Sequence, residues 1–404
     1  MIKQFDKPFT QQEAISETAI DRVAEILRTG RLHRYNTIPG EVCEASLLEK
    51  EFADWQGVKY CLAIASGGQA LQTALRAAGV NPGDKVLANA YTLAPVPGAI
   101  FATGGQPVLV DIDDNWHTDI DDLRAKAEKS QAKYFLLSHM RGHIADMGEI
   151  VAICQEFDIC LIEDCAHTMG AKWKGTRSGN FGDIACFSTQ TYKHMNSGEG
   201  GFLTTNNPEF AARAVIGSGS YMLYGSHGAI PPEDVFQKVR LNSPNCSARM
   251  DNLRAAILRD QLPHLEENVR RWNVRYKILE TGFAAIPNIT IIERKQHEEF
   301  VGSSIQFQAR GMAREEISEL LARCAKRGVE IKWFGGAEPV AFTSRYDSWH
   351  YLGEMDPLPK TIDVLSTTCD MRVPLTFSEQ DCRDIAEIVA DEAANLDVST
   401  PMTS

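Results

Sequence analysis

Between residues 60 and 205, short apolar runs alternate with segments whose apolar positions recur every three or four residues. The runs Tyr60 to Ala65, Lys85 to Ala88, Pro107 to Ile112, Lys133 to Ser138, Ile159 to Ile162, Ile184 to Phe187 and Gly201 to Thr204 have the length of strands. Between the first two, Gln69 to Ala78 puts Ala70, Leu71, Ala74, Leu75 and Ala78 on one helical face, and Gly79 stops it. Met147 to Phe157 reads as a helix by the same test. A strand covered on both faces has no polar side to alternate with. Near-continuous runs separated by helices therefore predict an α/β unit with a mostly parallel, doubly covered sheet.

The texture changes after Pro263. Leu265, Val269, Trp272, Tyr276 and Leu279 fall on one stripe of a long amphipathic helix. Strand-like Ser303 to Gln308, a helix from Ala313 to Lys326 stopped by Gly328, strand-like Val329 to Phe334 and a final helix from about Glu379 to Leu396 follow. This predicts a large unit over 1–262, N-terminal arm included, and over 263–404 a linker helix with a small α+β unit. The last eight residues read as frayed.

Composition narrows the classes. A chain of 404 residues, 44% hydrophobic and 24% charged, has the balance of a globular protein with a sizeable core. The net charge of -13 argues against a general nucleic-acid or anionic-membrane surface. Ten cysteines without a C-x-x-C pair indicate neither a zinc ribbon nor a disulfide scaffold. The most apolar window, Val86 to Phe101, is interrupted by Asn89, Pro95 and Pro97, so no membrane span is expected. The N-terminus lacks a signal-peptide pattern, and the expected compartment is the cytoplasm.

The chemistry concentrates in three places. Ser66-Gly67-Gly68-Gln69 joins a strand to a helix start, where backbone amides and the helix dipole favour an anion. Glu163 and Asp164 end a strand, the place where open α/β sheets hold ligands. Side chains alternate along a strand, so only one of the two faces a ligand there. Lys193 follows Ser188 by five residues and precedes the turn Ser197-Gly-Glu-Gly-Gly201. A lysine, a strand-end acid and a glycine-flanked helix start together form a kit for pyridoxal phosphate, supplying imine, ring-nitrogen partner and phosphate cup. His167 stands within reach of such a ring. His139 and His143 have zinc spacing, but Gly142 between them favours a loop, and no metal is expected. Arg141 in that loop and Tyr91 are candidates for polar contacts to a substrate. No GxGxxG follows a strand and no GxxxxGK[ST] occurs, which disfavours nucleotide hydride transfer and hydrolysis.

These segments resemble the DegT/DnrJ/EryC1/StrS aminotransferases. Ala65-Ser-Gly-Gly-Gln-Ala-Leu71 is similar to that family's SGTxAL phosphate loop, and Ile162-Glu-Asp-Cys-Ala-His-Thr-Met-Gly170 to its VEDAAQAHG. Asn81-Pro-Gly-Asp-Lys-Val86, Gly105 to Ile112, and Phe187-Ser188 with Lys193 and Gly198-Glu-Gly-Gly201 resemble further motifs. The resemblance implies fold type I, like aspartate aminotransferase, with a seven-stranded sheet. It implies Lys193 as the imine (Schiff base) lysine and Asp164 as the pyridinium partner. Ser66, Gly67, Gly68, Gln69 and Ser188 would then bind phosphate. It further implies a homodimer with shared sites, glutamate or glutamine as donor, and a keto-sugar or cyclitol acceptor in a ping-pong reaction. Three positions depart from the pattern. His167 stands for the usual Gln, Leu93 for a stacking aromatic, and Ser247 for an asparagine reaching the partner's phosphate, with Asn245 as a substitute. A dehydratase or a non-catalytic regulator on the same fold are the alternatives.

Overall fold

The computed structural model describes residues 3–339 and 345–396; the tail expected to fray lies outside them. Each of the seven expected runs forms a strand: β1 (Tyr60–Ile64), β2 (Lys85–Asn89), β3 (Gln106–Val110), β4 (Tyr134–Ser138), β5 (Cys160–Asp164), β6 (Ile184–Ser188) and β7 (Gly201–Thr205). They make one sheet in the order β1-β7-β6-β5-β4-β2-β3. Only β7 runs against its neighbours β1 and β6, and the other pairings are parallel. Both faces are covered. Leu71, Ala74 and Leu75 of helix α1 (Gly67–Ala78) pack with Leu62, Ile64, Ile162 and Leu203 on one side. Ile150 and Ile153 of α2 (Met147–Glu156) pack with Phe135, Leu137 and Leu161 on the other.

Helix α1 begins two residues before the expected Gln69. The Ser66 hydroxyl accepts the Gln69 N–H at 3.1 Å and caps the helix, which draws Gly67 and Gly68 into its first turn. Glycine is a poor helix former, so the pattern of side chains conceals these two residues.

Beyond the long helix α3 (Leu265–Ala284) lies a smaller unit. Strands β8 (Ser304–Gln308), β9 (Lys332–Trp333) and β10 (Thr368–Arg372) form its antiparallel sheet in the order β8-β10-β9. Helices α4 (Arg314–Lys326) and α5 (Glu379–Ala394) pack on it. The expected strand Val329 to Phe334 shrinks to two residues. Val329 is instead drawn back onto α4, its N–H reaching the Cys324 carbonyl at 3.0 Å. The N-terminal arm, expected with the large unit, inserts Phe5 and Phe9 into the small unit's core, edge-on to Phe377 at 5.0 and 4.9 Å. No described helix is long and apolar enough to cross a membrane.

Candidate active site

The parallel strands β2, β4 and β5 end on one level, and their register brings Ser138 opposite Asp164. The Asn89 side chain fixes these ends, accepting the Ser138 N–H at 2.8 Å and donating to the Tyr91 and Ser138 carbonyls. A relay of hydroxyls then runs across them. Thr92 donates to Ser138 at 2.8 Å, and Ser138 donates to Asp164 Oδ2 at 3.1 Å. The other Asp164 oxygen accepts the Ala166 N–H at 3.1 Å. Among the described residues no cation pairs with this carboxyl. Burial pushes it above the ordinary carboxylate range, against the pull of the Ala166 N–H, Lys193 and Ser138.

Glu163, one residue back, points to the opposite side of the sheet. It is fully buried and accepts the N–H groups of Gly179, Phe181 and Gly182 at 3.0, 2.9 and 2.7 Å, with His139 Nε2 at 3.0 Å. His139, Glu163 and Cys165 bring three potential metal ligands within 4.8 Å, but these hydrogen bonds already occupy the carboxylate. His143 turns elsewhere, to Gln306 at 2.8 Å.

Lys193 lies in the loop between β6 and β7. Its Nζ is 2.7 Å from His167 Nε2. The other ring nitrogen, Nδ1, accepts the Arg141 backbone N–H at 3.3 Å. In a neutral imidazole an accepting Nδ1 leaves the proton on Nε2, so His167 donates and Lys193 accepts as a neutral amine. The electrostatics agree. Burial first, then the Arg141 and Arg372 charges, lower the Lys193 ammonium to about 7, with Asp164 opposing. His167 is held well below the usual histidine range, chiefly by burial and then by Lys193.

The cup and the lysine loop abut. A Cβ on Gly67 would lie 2.7 Å from Ser188 Cβ. One on Gly201 would lie 2.5 Å from the Phe187 oxygen and 2.9 Å from the Gly67 nitrogen. Only bare backbone permits this approach, which sets the α1 N-terminus beside the Ser188 hydroxyl.

These groups surround a cavity of about 520 Å³. Ser66, Gly67, Gly68, Ser188, Asp164, His167, Lys193 and Leu93 all line it. Arg141 reaches it with a left-handed backbone (φ 55°) and an ion pair to Asp370 at 2.8 Å. Sequence reading missed Thr92, Ser138, Gln190, Tyr192, Glu199 and Arg372, which line the cavity as well. Arg372 comes from the end of β10, and its guanidinium lies 3.8 Å from the Tyr192 ring centre. Tyr91 and Gln69, expected at this site, do not line the cavity. Tyr91 is fully buried against Phe334 at 5.4 Å. Asn245 and Ser247, expected to reach the partner's phosphate, sit exposed on a loop whose Ala248 N–H joins the Ser218 carbonyl at 2.8 Å. Gln69 contributes its backbone N–H to the cap, already taken by Ser66.

The set fits pyridoxal phosphate. An anion-favouring helix start with two serine hydroxyls, a buried carboxyl lacking a cation, and a neutral lysine amine are the three complements that cofactor needs. The sequence pattern of the DegT/DnrJ/EryC1/StrS aminotransferase family matches residues 13–390. The chain is 27% identical over 394 residues to the spore coat polysaccharide biosynthesis protein SpsC of Bacillus subtilis, across 95% of this chain and 96% of that one. It is 35% identical over 253 residues to the dTDP-3-amino-3,6-dideoxy-alpha-D-galactopyranose transaminase of Aneurinibacillus thermoaerophilus, across 61% of this chain and 66% of that one. The solved aminotransferase from Psychrobacter cryohalolentis shares the fold at a TM-score of 0.83 and 21% identity, across 96% and 99% of the two chains. The chain belongs to the DegT/DnrJ/EryC1/StrS family and is a pyridoxal-phosphate-dependent aminotransferase.

Proposed function

We propose that this enzyme moves an amino group from glutamate or glutamine to a cyclic keto compound, a keto-sugar or cyclitol, in two half-reactions at one cavity. The observation that carries the reading is a buried Lys193 amine, its ammonium lowered to about 7, lining the same cavity as an Asp164 carboxyl without a cation partner among the described residues. Relatives that act in polysaccharide and amino-sugar formation support the acceptor class.

Bound pyridoxal phosphate supplies a ring that draws electrons from the substrate carbon. Ser66, Gly67, Gly68 and Ser188 would hold its phosphate, with Lys193 bearing it in the resting state. Asp164 would face the ring nitrogen and hold a proton there. The Thr92–Ser138 relay orients the carboxylate by filling one acceptor position. His167 donates from Nε2 and steadies whichever oxygen or nitrogen lies there. Lys193 Nζ, its ammonium lowered to about 7, would carry the proton that leaves the substrate carbon. The apolar Leu93 and Val96 also line the cavity.

The same reading includes a homodimer. Tyr221, Met222, Leu223 and Leu241 are exposed large apolar residues, and the Tyr221 ring lies 5.9 Å from the Arg249 guanidinium just after the Asn245–Ser247 loop, a composition that favours burial by another chain. Light scattering tests it, since a monomer that turns over contradicts it. The reaction is tested by a spectral screen of the cofactor-loaded protein. Glutamate or glutamine should bleach the near-visible band, and a keto-sugar or cyclitol ketone should restore it. If only simple amines and α-keto acids cycle the band, the cyclic acceptor is wrong.

A further inference from the structure

Lys193 belongs to the irregular stretch between β6 and β7, so no helix or strand fixes its backbone. The base of that loop is tied, with the Thr189 N–H on the Gly200 carbonyl at 2.9 Å and the Thr191 N–H on the Gly198 carbonyl at 3.1 Å. Lys193 to Asn196 form its tip. Lys193 lines the cofactor cavity and also a second one of about 320 Å³, which His194, Asn196 and Gln261 share. Two cavities meeting at one residue leave less of it held by packing. Met195 is buried at the tip, but a methionine is flexible and apolar contact is non-directional, so it fixes depth and leaves orientation open.

Orientation comes from Gln261. Its Oε1 accepts the Asn196 N–H at 2.8 Å and its Nε2 donates to the Asn196 carbonyl at 2.8 Å. Two opposed bonds to one residue set its distance and its rotation together. Nε2 also donates to the Ile257 carbonyl at 3.3 Å, one turn back, which holds the amide to its own helix, Asn252–Gln261. That helix is anchored in turn by the fully buried Ala255 and Leu258. His194 completes the hold, its Nε2 3.0 Å from the Ser303 hydroxyl and its ring edge-on to Trp272 at 5.2 Å. Asn196 is three residues from Lys193 in the same short loop, so rotation of its peptide is passed to the root of the lysine side chain. At the far end Nζ lies 2.7 Å from His167 Nε2.

We infer that Gln261 is a positioning residue of the aminotransfer reaction, its amide clamping the Asn196 peptide and thereby aiming the Lys193 amine into the cavity. Gln261 itself does not line that cavity. The inference rests on the reading of Lys193 as the reacting lysine for its effect on turnover, while the placement of the amine is measured without cofactor.

Gln261→Met keeps the length of the side chain and removes both bonds without adding charge. In cofactor-free protein, imine formation with a small aldehyde is followed across pH, with Lys193→Ala as background. Burial is the main cause that holds the Lys193 ammonium at about 7, and Asp164, Arg141, Arg372, His167 and His194 are the charged or titratable groups around it. All of them remain in the variant. An unclamped amine reaches water, so the midpoint should rise by about one pH unit. In the loaded protein Gln261→Met should lower kcat about ten- to hundred-fold, the scale of a misplacement of about 1 Å, and change KM for the donor less than about three-fold. Ala255→Gly, on the same helix and away from the clamp, should lower the melting temperature and leave the midpoint where it is. Two results overturn the inference: the same midpoint in parent and Gln261→Met, or an equal rise in Ala255→Gly, because general loosening would then explain both. If Gln261→Met does not fold, Gln261→Asn decides, its amide one methylene short of Asn196. A raised midpoint supports the clamp, and an unchanged one overturns it. A raised midpoint in Gln261→Met together with full turnover in Lys193→Ala would leave the clamp standing and remove Lys193 from the reaction.

Discussion

Glu163 and Asp164 are neighbours on β5 and both are buried, yet their surroundings are opposite. Glu163 is closed in by three backbone N–H groups and His139. Burial alone would raise its carboxyl, but the His139 bond and those amides hold it below the ordinary range. Asp164 has one amide and one hydroxyl, and burial wins. Breaking the first arrangement unfastens the Gly179–Gly182 turn from the sheet. The second is a deficit that a cation from outside removes. Burial therefore does not separate a structural carboxylate from a chemical one. The number of filled acceptor positions does.

That contrast can be broken at several points. The largest effect belongs to Lys193→Ala, which should lose the borohydride-reducible band and roughly ten-thousand-fold in turnover, the scale of a lost proton-transfer group. Turnover within ten-fold of the parent would remove Lys193 from the reaction. Next, Asp164→Asn should cut turnover about 100- to 1,000-fold while leaving the melting temperature nearly unchanged. Glu163→Gln should do the reverse, costing roughly 3 kcal/mol of stability with turnover per folded molecule retained. Paired thermal melts and active-site-normalised rates check both, and matching profiles for the two variants would dissolve the contrast.

A subtler effect is the titration of Lys193. In cofactor-free protein, the rate of imine formation with a small aldehyde should rise through a midpoint near 7 and then level off. An ordinary lysine would keep gaining reactivity towards pH 10.5. Arg141→Gln should move the midpoint up, because removing a neighbouring cation favours the ammonium form. A downward move would show that burial and charge have been misassigned. The smallest effect is expected from Leu93→Phe. An aromatic face in that wall should tighten cofactor binding about three- to ten-fold, measured as a dissociation constant.

How much of this was legible beforehand follows from where each residue gets its position. The cup and the Ser188–Lys193 segment are contiguous in sequence, so local pattern revealed them. The Thr92–Ser138 relay depends on parallel strands ending in register, and aligning the expected strand ends would have found Ser138 opposite Asp164. Tyr91 was placed in the right segment on the wrong side: its ring went into the cluster with Phe334. Arg372 left almost no signal. Strand β10 alternates weakly because Asp370 is a buried charge, and only the docking of the small unit brings its end to Tyr192. Only the start of the N-terminal arm leaves the expected unit, for a similar reason, since the partner of Phe5 and Phe9 is Phe377, near the other end of the chain.

Gly67 and Gly201 have a consequence for how this enzyme can vary. Neither carries charge or donates a side chain, and each is wedged against backbone or Cβ atoms of the other's loop. Adding one methyl group at either position would push the cup away from the lysine hairpin as a block. Compensating for it would need a second change across the gap at the same time. Single-step drift is therefore closed off at both glycines, while walls such as Leu93 and Arg372 remain free to be rewritten one residue at a time. New substrates can be explored on an unmoving frame, and that frame is protected by lack of space.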